Sequence, residues 1–372
     1  MSASEAALRK VPWSPPLFEP EDQEAAIRVI RSGWMTQGKE TQAFETELAA
    51  ALGAKHAVAV NNGTSALMAA LLVHGIGKGD DVLVPTMTFI ATVNAVIAVG
   101  ANPVLVDCDP RTLNVTPELL KERLTPRTKA LLFVDVYGMP CDLEAMQAFA
   151  DEYGLVLIED AAEAIGAGYK TRPVGSFAHT AIVSFHMAKL VPTVEGGCVV
   201  TQEDALASGL RQIRNHGMGG QYHYVTFGLN LRTTDIQAAL GRSQLKKLPR
   251  ILKHRQTIVD LYKEELSGLA AFQDVPPYVT THPHMIFAMF LENSETRDKL
   301  NQYLNRHGVD TRICWVPAHA QPYHSKALAF SGAFPNAERL AARNLSLPLG
   351  NALSLEDARY VVQTVKDGLR GL

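Results

Sequence analysis

The chain has 372 residues, of which 47% are hydrophobic and 20% charged, and its formal net charge is −3. This length and composition predict about two globular domains, and the weak negative charge gives no general attraction to nucleic acid. No apolar run approaches the ~18 residues that span a membrane, and no apolar signal core opens the chain.

The predicted elements begin with an extended arm over residues 1–20, which contain four prolines. Amphipathic spacing then predicts helices over 21–31 and 39–52, separated by a glycine-bounded loop. The next predicted strands are 55–60, 82–85, 103–107, 130–134 and 155–159, and the helices between them begin at 63 and cover 88–99, 117–124 and 142–153. Strands that alternate with helices predict a parallel sheet with both faces covered, and ligands in such sheets bind at the carboxyl ends of the strands.

Two polar residues follow strand-like runs at that edge of the predicted sheet. Asp160 ends the run LVLIED, and Lys189 lies just past the run AIVSF, before a third run, VEGGCVVT. Pyridoxal phosphate (PLP) requires two such groups. A lysine amine condenses with its aldehyde, and a carboxylate keeps its pyridine nitrogen protonated. Each residue alone has an ordinary explanation, since aspartate often caps a turn and a lysine after a strand is usually solvated.

The segment NNGTSAL predicts a helix that starts at the same edge. The free N–H groups and the dipole of a helix start suit a phosphate, so Gly63, Thr64 and Ser65 are candidate phosphate ligands, although an ordinary Ser/Thr cap explains the same letters. Phe89 begins the helix over 88–99, where a flat ring can stack on a flat cofactor or simply fill the core.

The rest of the chain changes character near residue 250. A helix over 203–216 precedes GLNLRTTDIQAALGRSQL, where Thr233, Thr234 or Asp235 can cap a further helix. Beyond this segment, the patterns predict a long helix over 251–269, strands over 285–291 and 311–315, and helices over 297–306 and 355–369. We therefore predict a large cofactor-binding domain over 1–250 and a smaller α/β domain over 251–372.

In their order along the chain, these motifs resemble those of the DegT-type sugar aminotransferases, which are fold-type I PLP enzymes. The resemblance covers nearly the whole chain. The matching segments are SGWMTQGKETQAFE from Ser32, NNGTSAL from Asn61, VPTMTFIATVNAV from Val84, VDVYGMPCDLEA from Val134, IEDAAEAIGA from Ile158, SFHMAK from Ser184, EGG from Glu195, RNHG from Arg214, GLNLRTTDIQAALGRSQL from Gly228, VDTRICWVPAHAQP from Val309 and NLSLPL from Asn344.

The resemblance implies an α/β fold with a mainly parallel central sheet flanked by helices in a large PLP domain, and a smaller C-terminal α/β domain. It implies that Lys189 binds PLP and exchanges protons, and that Asp160 holds the proton on the ring nitrogen. It also implies a homodimer in which Asn230 reaches the cofactor phosphate of the partner subunit. The cofactor-binding residues that it implies are Gly63, Thr64, Ser65, Phe89, Asp160, Glu163, Ser184, Lys189 and Asn230.

The implied reaction moves an amino group from L-glutamate to a keto-sugar nucleotide, in the biosynthesis of an amino sugar for lipopolysaccharide O-antigen or a similar surface polysaccharide. Glu163 and the segment YGMPCDLEA resemble GDP-perosamine synthases, which aminate C4 of a GDP-linked sugar. The substrate-binding residues that we expect are Trp34, Lys39, His186, Arg232, Arg312 and His319. For the two histidines, a structural role is at least as plausible.

Two segments depart from the family pattern. PTVEGG replaces the usual TTGEGG, which puts Val194 at a glycine position, and LNLR replaces the tyrosine-rich YNYR over residues 229–232. Both segments are expected near the cofactor or the substrate, so they leave the identity of the sugar open.

Other functions remain as alternatives. A dehydratase branch of the family carries histidine at the position of Lys189, which argues against that branch. A desulfurase or another PLP lyase needs a mobile cysteine, whereas Cys314 lies in the strand-like segment RICWV. The four cysteines are scattered without a CxxC pair, which favours reduced thiols in a cytoplasmic protein over a disulfide or metal framework. A 3-keto-sugar aminotransferase and a sensor built on the same fold are further alternatives.

Overall fold

The computed structural model describes residues 9–327, 330 and 332–371, so the first eight residues of the predicted arm lie outside the described residues. The helices are α1 (Pro20–Ser32), α2 (Lys39–Ala51), α3 (Gly63–Val73), α4 (Ala91–Ala98), α5 (Pro117–Lys121), α6 (Leu143–Tyr153), α7 (Asp204–Arg214), α8 (Asp235–Glu265), α9 (Ser294–Arg306), α10 (Pro322–Ala327), α11 (Pro335–Arg343) and α12 (Leu355–Arg370). The strands are β1 (His56–Val60), β2 (Asp81–Pro85), β3 (Asn102–Val106), β4 (Thr128–Val134), β5 (Val156–Asp160), β6 (Gly168–Tyr169), β7 (Arg172–Pro173), β8 (Thr180–Ser184), β9 (Gly197–Thr201), β10 (Met218–Gly220), β11 (His223–Tyr224), β12 (Ala271–Phe272), β13 (Val279–Thr281), β14 (Phe287–Phe290) and β15 (Asn344–Leu347).

Seven strands form the central sheet, in the order β1-β9-β8-β5-β4-β2-β3. The strands from β8 to β3 pair in parallel, and β9 runs antiparallel to both β1 and β8. The prediction of a mainly parallel sheet flanked by helices is therefore confirmed, with β9 as the reversed strand. Because β5 and β8 are parallel neighbours, their last residues, Asp160 and Ser184, lie at the same edge.

Helix α8 is longer than the sequence predicted. It begins at Asp235 rather than at Ile251, and it runs for 31 residues. Thr234 caps it, because Oγ1 of Thr234 accepts a hydrogen bond from the N–H of Gln237 and the side chain of Gln237 accepts one from the N–H of Thr234. The carboxylate of Asp235 accepts the backbone N–H of Thr41 at 3.0 Å, so the start of α8 also fixes the start of α2.

A glycine and a proline inside α8 concealed its continuity. Without a side chain, Gly241 lets Phe44 of α2 pack directly on the helix, since a Cβ at this position would lie 2.4 Å from Cζ of Phe44. Pro249 also lies within the helix, where it lacks the N–H that a regular turn would use.

Helix α8 contributes to two hydrophobic cores. Its first half adds Ala238, Leu248 and Ile251 to the core around the central sheet, and its second half adds Ile258, Val259 and Tyr262 to a core shared with β14, β15, α9 and α12. The small sheet of this second core has the order β12-β14-β15. The boundary between residues 250 and 251 falls inside the helix, and the division into two domains stays a prediction.

The predicted strand over 311–315 is reduced to one bridge between Arg312 and Ser346. The backbone N–H of Cys314 donates to Oδ1 of Asn344 at 2.9 Å, so this group is used by a side chain rather than by a strand. Among residues 9–327, 330 and 332–371, none of the helices combines the length and the apolar character that a bilayer crossing requires.

Candidate active site

A cavity of about 680 Å³ opens at the carboxyl edge of the central sheet, beside the ends of β5 and β8. Ten of the predicted site residues line it, namely Gly63, Thr64, Ser65, Phe89, Asp160, Glu163, Ser184, His186, Lys189 and Arg312. The predicted residues that do not line it are Trp34, Lys39, Asn230, Arg232 and His319. The cavity therefore brings together residues that are up to about 250 positions apart in the sequence.

Lys189 lies in the loop between β8 and β9 and forms an ion pair with Glu163. Its Nζ is 3.0 Å from Oε1 of Glu163, and the exposed fractions of the two side chains are 16% and 5%. The second oxygen of Glu163 accepts the backbone N–H of Tyr137 at 3.1 Å. Because the carboxylate is itself held in place, it fixes the amine at one point of the cavity wall.

Asp160 is a buried carboxylate at the floor of the cavity. Its Oδ2 accepts a hydrogen bond from the hydroxyl of Thr92 at 2.7 Å, and its Oδ1 accepts the N–H of Ala162 at 3.2 Å. Burial raises the pKa of Asp160 to about 6, although the two hydrogen bonds and the positive charge of Lys189 oppose the rise. A cation bound against this carboxylate would therefore favour its ionised form.

The start of α3 forms an anion-binding corner of the cavity. Oδ1 of Asn62 accepts the N–H of Ser65 at 2.8 Å, and the N–H groups of Gly63 and Thr64 lie in the first turn, where a helix offers them no internal partner. A Cβ at Gly63 would lie 3.1 Å from Oγ of Ser184, so the glycine lets this hydroxyl approach the helix start. Backbone N–H groups, hydroxyls and the helix dipole thus converge on one point.

Aromatic side chains form another wall. Phe89 is 58% exposed and contacts Trp315 edge-on, with ring centroids 5.8 Å apart. Tyr137 packs against the same indole at 5.9 Å. Trp13 of the N-terminal arm also lines the cavity, and its Nε1 donates to Oγ of Ser346 at 3.0 Å. Phe89, Trp315 and Trp13 line the cavity and offer flat apolar surfaces to a flat ligand, whereas Tyr137 is buried against the indole.

Charged side chains surround the mouth of the cavity. Arg312 is half exposed and forms an ion pair with Asp310. His186 lies with its Nε2 3.8 Å from Oε1 of Glu195, and both of these side chains are more than half exposed. A ligand that extends out of the cavity would therefore meet a guanidinium group and an imidazole.

The predicted site residues outside the cavity have other contacts. Trp34 is 61% exposed, and its Nε1 donates to the carbonyl of Gln37 at 3.3 Å, while Lys39 is exposed at the start of α2. Arg232 donates to Oδ1 of Asn215 at 2.6 Å, and the exposed Asn230 forms a bridge with the same residue. The cavity of a single chain thus includes neither Arg232 nor Asn230, the residue that was expected to reach the cofactor phosphate of the partner subunit.

The imidazole ring of His319 makes contacts with other side chains of the protein rather than lining the cavity. Nδ1 lies 2.7 Å from Oγ1 of Thr86, Nε2 lies 3.3 Å from a carboxylate oxygen of Glu338, and the ring stacks on Phe334 with centroids 4.5 Å apart. These contacts attach the segment after residue 316 to the end of β2. The contacts support a structural role for His319, which the sequence analysis kept as an alternative to substrate binding.

The sequence and the fold are similar to those of known aminotransferases. The DegT/DnrJ/EryC1/StrS aminotransferase family matches residues 16–366. The chain belongs to this family. It is 36% identical to the spore coat polysaccharide biosynthesis protein SpsC of Bacillus subtilis, with 97% of each chain covered, and 40% identical to the erythromycin biosynthesis sensory transduction protein EryC1 of Saccharopolyspora erythraea, with 93% and 94% covered. The structure of S. venezuelae DesV in complex with a ketimine intermediate superposes with a TM-score of 0.89, at 37% identity, over 93% of this chain and 94% of DesV.

Membership of the DegT/DnrJ/EryC1/StrS family confirms the resemblance inferred from the motifs, and the chain is an aminotransferase that uses PLP. The residues of the cavity fit this cofactor. The corner at α3 suits its phosphate, the buried Asp160 suits a protonated ring nitrogen, and the amine of Lys189 suits its aldehyde. These individual roles are proposals that rest on the fit.

The sequence analysis did not identify several residues of the candidate active site. Thr92 follows Phe89 by three positions, and this spacing within the predicted helix 88–99 is a signal that would have placed the two side chains on one side of it, although α4 itself begins at Ala91. Trp13 is a large aromatic residue among prolines, which is a weaker signal. Tyr137 contributes a backbone N–H, which leaves no trace in the sequence.

Proposed function

We propose that the chain transfers the amino group of L-glutamate to a nucleotide-linked keto-deoxy sugar, with a 4-keto sugar favoured and a GDP link as the first candidate. The observation that carries this proposal is that one cavity holds a lysine amine, a buried carboxylate and a helix start that suits an anion, and is also lined by the half-exposed guanidinium group of Arg312. Arg312 suits a diphosphate, and the flat walls suit a sugar or a base. The product would enter the biosynthesis of a surface polysaccharide such as O-antigen, which the similarity to SpsC supports.

In this function PLP supplies an aldehyde and an electron-withdrawing ring. Nζ of Lys189 takes a proton from the α-carbon of glutamate, which leaves as 2-oxoglutarate. In the second half of the reaction the same Nζ gives a proton to the sugar carbon that carried the ketone, and this carbon then carries the amine. Asp160 holds the proton on the ring nitrogen through its carboxylate. Glu163 keeps Nζ in place, and Ser184 with the start of α3 holds the phosphate.

A labelling experiment tests the assignment of Lys189. The purified enzyme is loaded with PLP, treated with borohydride and mapped by peptide mass, and the label should lie on Lys189. Lys189→Arg is a suitable control, because arginine keeps a cation against Glu163 but offers no amine that condenses with an aldehyde. We expect it to lose the label and at least ~10³-fold of activity. A label on another residue would contradict the assignment.

The sugar is tested separately. A panel of 4-keto and 3-keto deoxy sugars linked to GDP, dTDP or UDP is incubated with the enzyme and L-glutamate, and the aminated products are identified by mass and NMR. Preferential turnover of a GDP-linked 4-keto sugar supports the proposal. Turnover of a 3-keto sugar, or of another amino donor in place of glutamate, contradicts the corresponding part of it.

A lyase or desulfurase function is less well supported by the site. Cys314 lines the cavity, but it is only 5% exposed, and burial raises the pKa of its thiol to about 12. Such a thiol is not a ready nucleophile. Cys314→Ala should therefore leave amino transfer largely intact, whereas sulfur transfer would be abolished.

A homodimer with shared sites forms part of the proposal. Several large apolar side chains of this chain are exposed, among them Trp34, Met35, Val194, Tyr224 and Phe227, and the last two shortly precede Asn230 in the sequence. Complementation tests whether Asn230 acts in the partner's site. Lys189→Ala and Asn230→Ala are each expected to be nearly inactive, and mixed dimers should regain activity, because one of their two sites then has both native residues. If Asn230 acted within its own chain, mixing would restore nothing.

A further inference from the structure

Arg255 of α8 is buried, and the part of the chain that the structure describes places no carboxylate within ion-pair distance of it. It is 1% exposed, and among the described residues its guanidinium group forms no ion pair within 4 Å. Its N–H groups donate to backbone carbonyls of the segment 283–285 and to the side chain of Asn351. Burying a charge in this way is costly unless its hydrogen bonds are numerous, so the position of this group calls for an explanation.

One set of its contacts leads to the backbone of Lys189. Nη1 of Arg255 donates to Oδ1 of Asn351 at 3.1 Å. Nδ2 of Asn351 in turn donates to the carbonyl of Leu190 at 3.1 Å and lies 3.4 Å from the carbonyl of Lys189. Asn351 thus links the part of the loop that bears the lysine to Arg255 of α8, while Gln237 of α8 donates to the carbonyl of Glu195 farther along the same loop.

A second set leads to the ion-pair partner of the same lysine. Nη2 of Arg255 donates to the carbonyl of Met285 at 2.8 Å, and the N–H of Met285 donates to the carbonyl of Tyr137 at 3.0 Å. The N–H of Tyr137 donates to Oε2 of Glu163, whose Oε1 is 3.0 Å from Nζ of Lys189. Together the two sets of contacts form a closed ring of hydrogen bonds. The ring includes the backbone of Lys189 on one side and its Nζ on the other.

We propose that Arg255 is a positioning residue for amino transfer, which acts through Asn351 on the backbone of Lys189 and through Met285 and Tyr137 on the carboxylate of Glu163. The ring fixes the distance between the amine and its counter-charge, although Arg255 itself does not line the cavity. Arginine suits this role because its planar fork presents five N–H donors, whereas lysine presents a single point of attachment. The inference rests on the proposed role of Lys189 as the PLP-binding residue.

The test cuts the ring at Asn351. Asn351→Ala removes the attachment of the lysine loop and leaves the carbonyl contacts of Arg255 in place. His254→Ala is the matched control, because Nε2 of His254 lies 2.7 Å from the carbonyl of Leu353 and so attaches the loop that contains Asn351 to α8 without a contact to the lysine loop. Both PLP-loaded variants are compared with the wild type in thermal unfolding, in single-turnover conversion by glutamate, and in the pH dependence of the cofactor absorbance.

We expect Asn351→Ala to slow the single-turnover rate constant about 10- to 100-fold and to shift the pH profile of the absorbance, because misplaced reacting groups cost rates of this size. His254→Ala should stay within about twofold in rate and show a similar loss of Tm. If the two variants slow the reaction equally, or if Asn351→Ala leaves the rate unchanged, the positioning role is wrong even when borohydride labels Lys189. If the wild-type label lies on another residue, both this role and the assignment of Lys189 are wrong.

Discussion

Thr92 donates a 2.7 Å hydrogen bond to Oδ2 of Asp160, and this bond joins the first turn of α4 to the end of β5. It favours the charged carboxylate against the burial that raises its pKa to about 6. The proposed catalysis needs this group ionised, so removing the bond should have a measurable effect on pH dependence.

We expect Thr92→Val to move the acid limb of kcat/KM for glutamate to higher pH by about one unit, because loss of a bond to a charged group costs ~1.5–3 kcal/mol and one pKa unit corresponds to ~1.4 kcal/mol. Retention of PLP should weaken in the same direction. Thr88→Val is the control, since its hydroxyl reaches that of Thr92 at 2.8 Å but not the carboxylate. An unshifted acid limb in Thr92→Val would contradict the role of this hydrogen bond.

Val194 occupies the left-handed region of backbone space, with φ of 73°, at a position where the family pattern has glycine. This conformation costs a residue with a Cβ about 1–2 kcal/mol, whereas glycine accepts it and loses ~0.5–1 kcal/mol of chain entropy on folding. We therefore expect Val194→Gly to raise the free energy of unfolding by up to ~1 kcal/mol and Tm by on the order of 1–2 °C. The equally exposed Val225, which is not at positive φ, serves as control, and Val225→Gly should not stabilise. Equal effects in the two variants would exclude strain at residue 194.

Beside the site, Asp135 and Glu159 form a buried carboxyl pair. Each uses one oxygen to accept a backbone N–H, from Cys141 and Gly175, and among the described residues the other oxygen of each has no donor, so a proton shared between the two groups would supply the bond that both lack. Burial, assisted by the nearby negative charges, raises the pKa of Asp135 to about 7 and that of Glu159 well above its usual range. Groups with raised pKa values stabilise the fold fully below about pH 4, and this contribution is lost as pH rises through the folded-state value.

The free energy of unfolding should therefore decrease from about pH 4 to pH 7 in the wild type relative to Asp135→Asn/Glu159→Gln. The difference should have a slope of up to ~1.4 kcal/mol per pH unit for each titrating group. Urea unfolding of both proteins at several pH values measures it, and other titrating groups cancel in the comparison. Parallel curves would mean that the pair does not hold a proton in the folded state.

Arg312 and His319 were both expected to bind the sugar nucleotide, but only Arg312 lines the cavity. We expect Arg312→Gln to raise KM for the sugar nucleotide about tenfold or more, because a charge-assisted hydrogen bond is lost. His319→Gln should instead lower stability by about 1 kcal/mol, since it disturbs the contacts with Thr86 and Glu338. Steady-state kinetics and thermal unfolding separate the two. A large increase of KM in His319→Gln would restore the original expectation for this residue.

The sequence predicted those parts of the fold that depend on local pattern. Apolar runs located β5 and β8, and the polar residues that follow them predicted Asp160 and Lys189 at one edge of the sheet. Motif order placed Lys189 and the start of α3 in the same cavity. The resemblance to a family supplied the roles of these residues, which spacing alone left open.

Features that depend on contacts between distant segments were not predicted. Glycine has a low helix propensity, so Gly241 argues against a helix in the sequence, yet the approach of Phe44 requires a glycine within α8. The segment 311–315 has the composition of a strand, but Asn344 takes the N–H of Cys314 and prevents regular pairing. The bond from Thr92 to Asp160 joins residues 68 positions apart, and no local pattern indicates it.

The continuity of α8 has a consequence for how the protein can be divided. A fragment that ended at residue 250 would stop in mid-helix and leave Leu248 without the turns that follow it, while the remaining fragment would begin with a helix that has lost its cap at Thr234. Separate expression of two halves should give aggregation rather than two folded units. Helix α8 packs into both hydrophobic cores and therefore resists bending between them. We expect conformational changes on ligand binding to take place instead in loops at the mouth of the cavity.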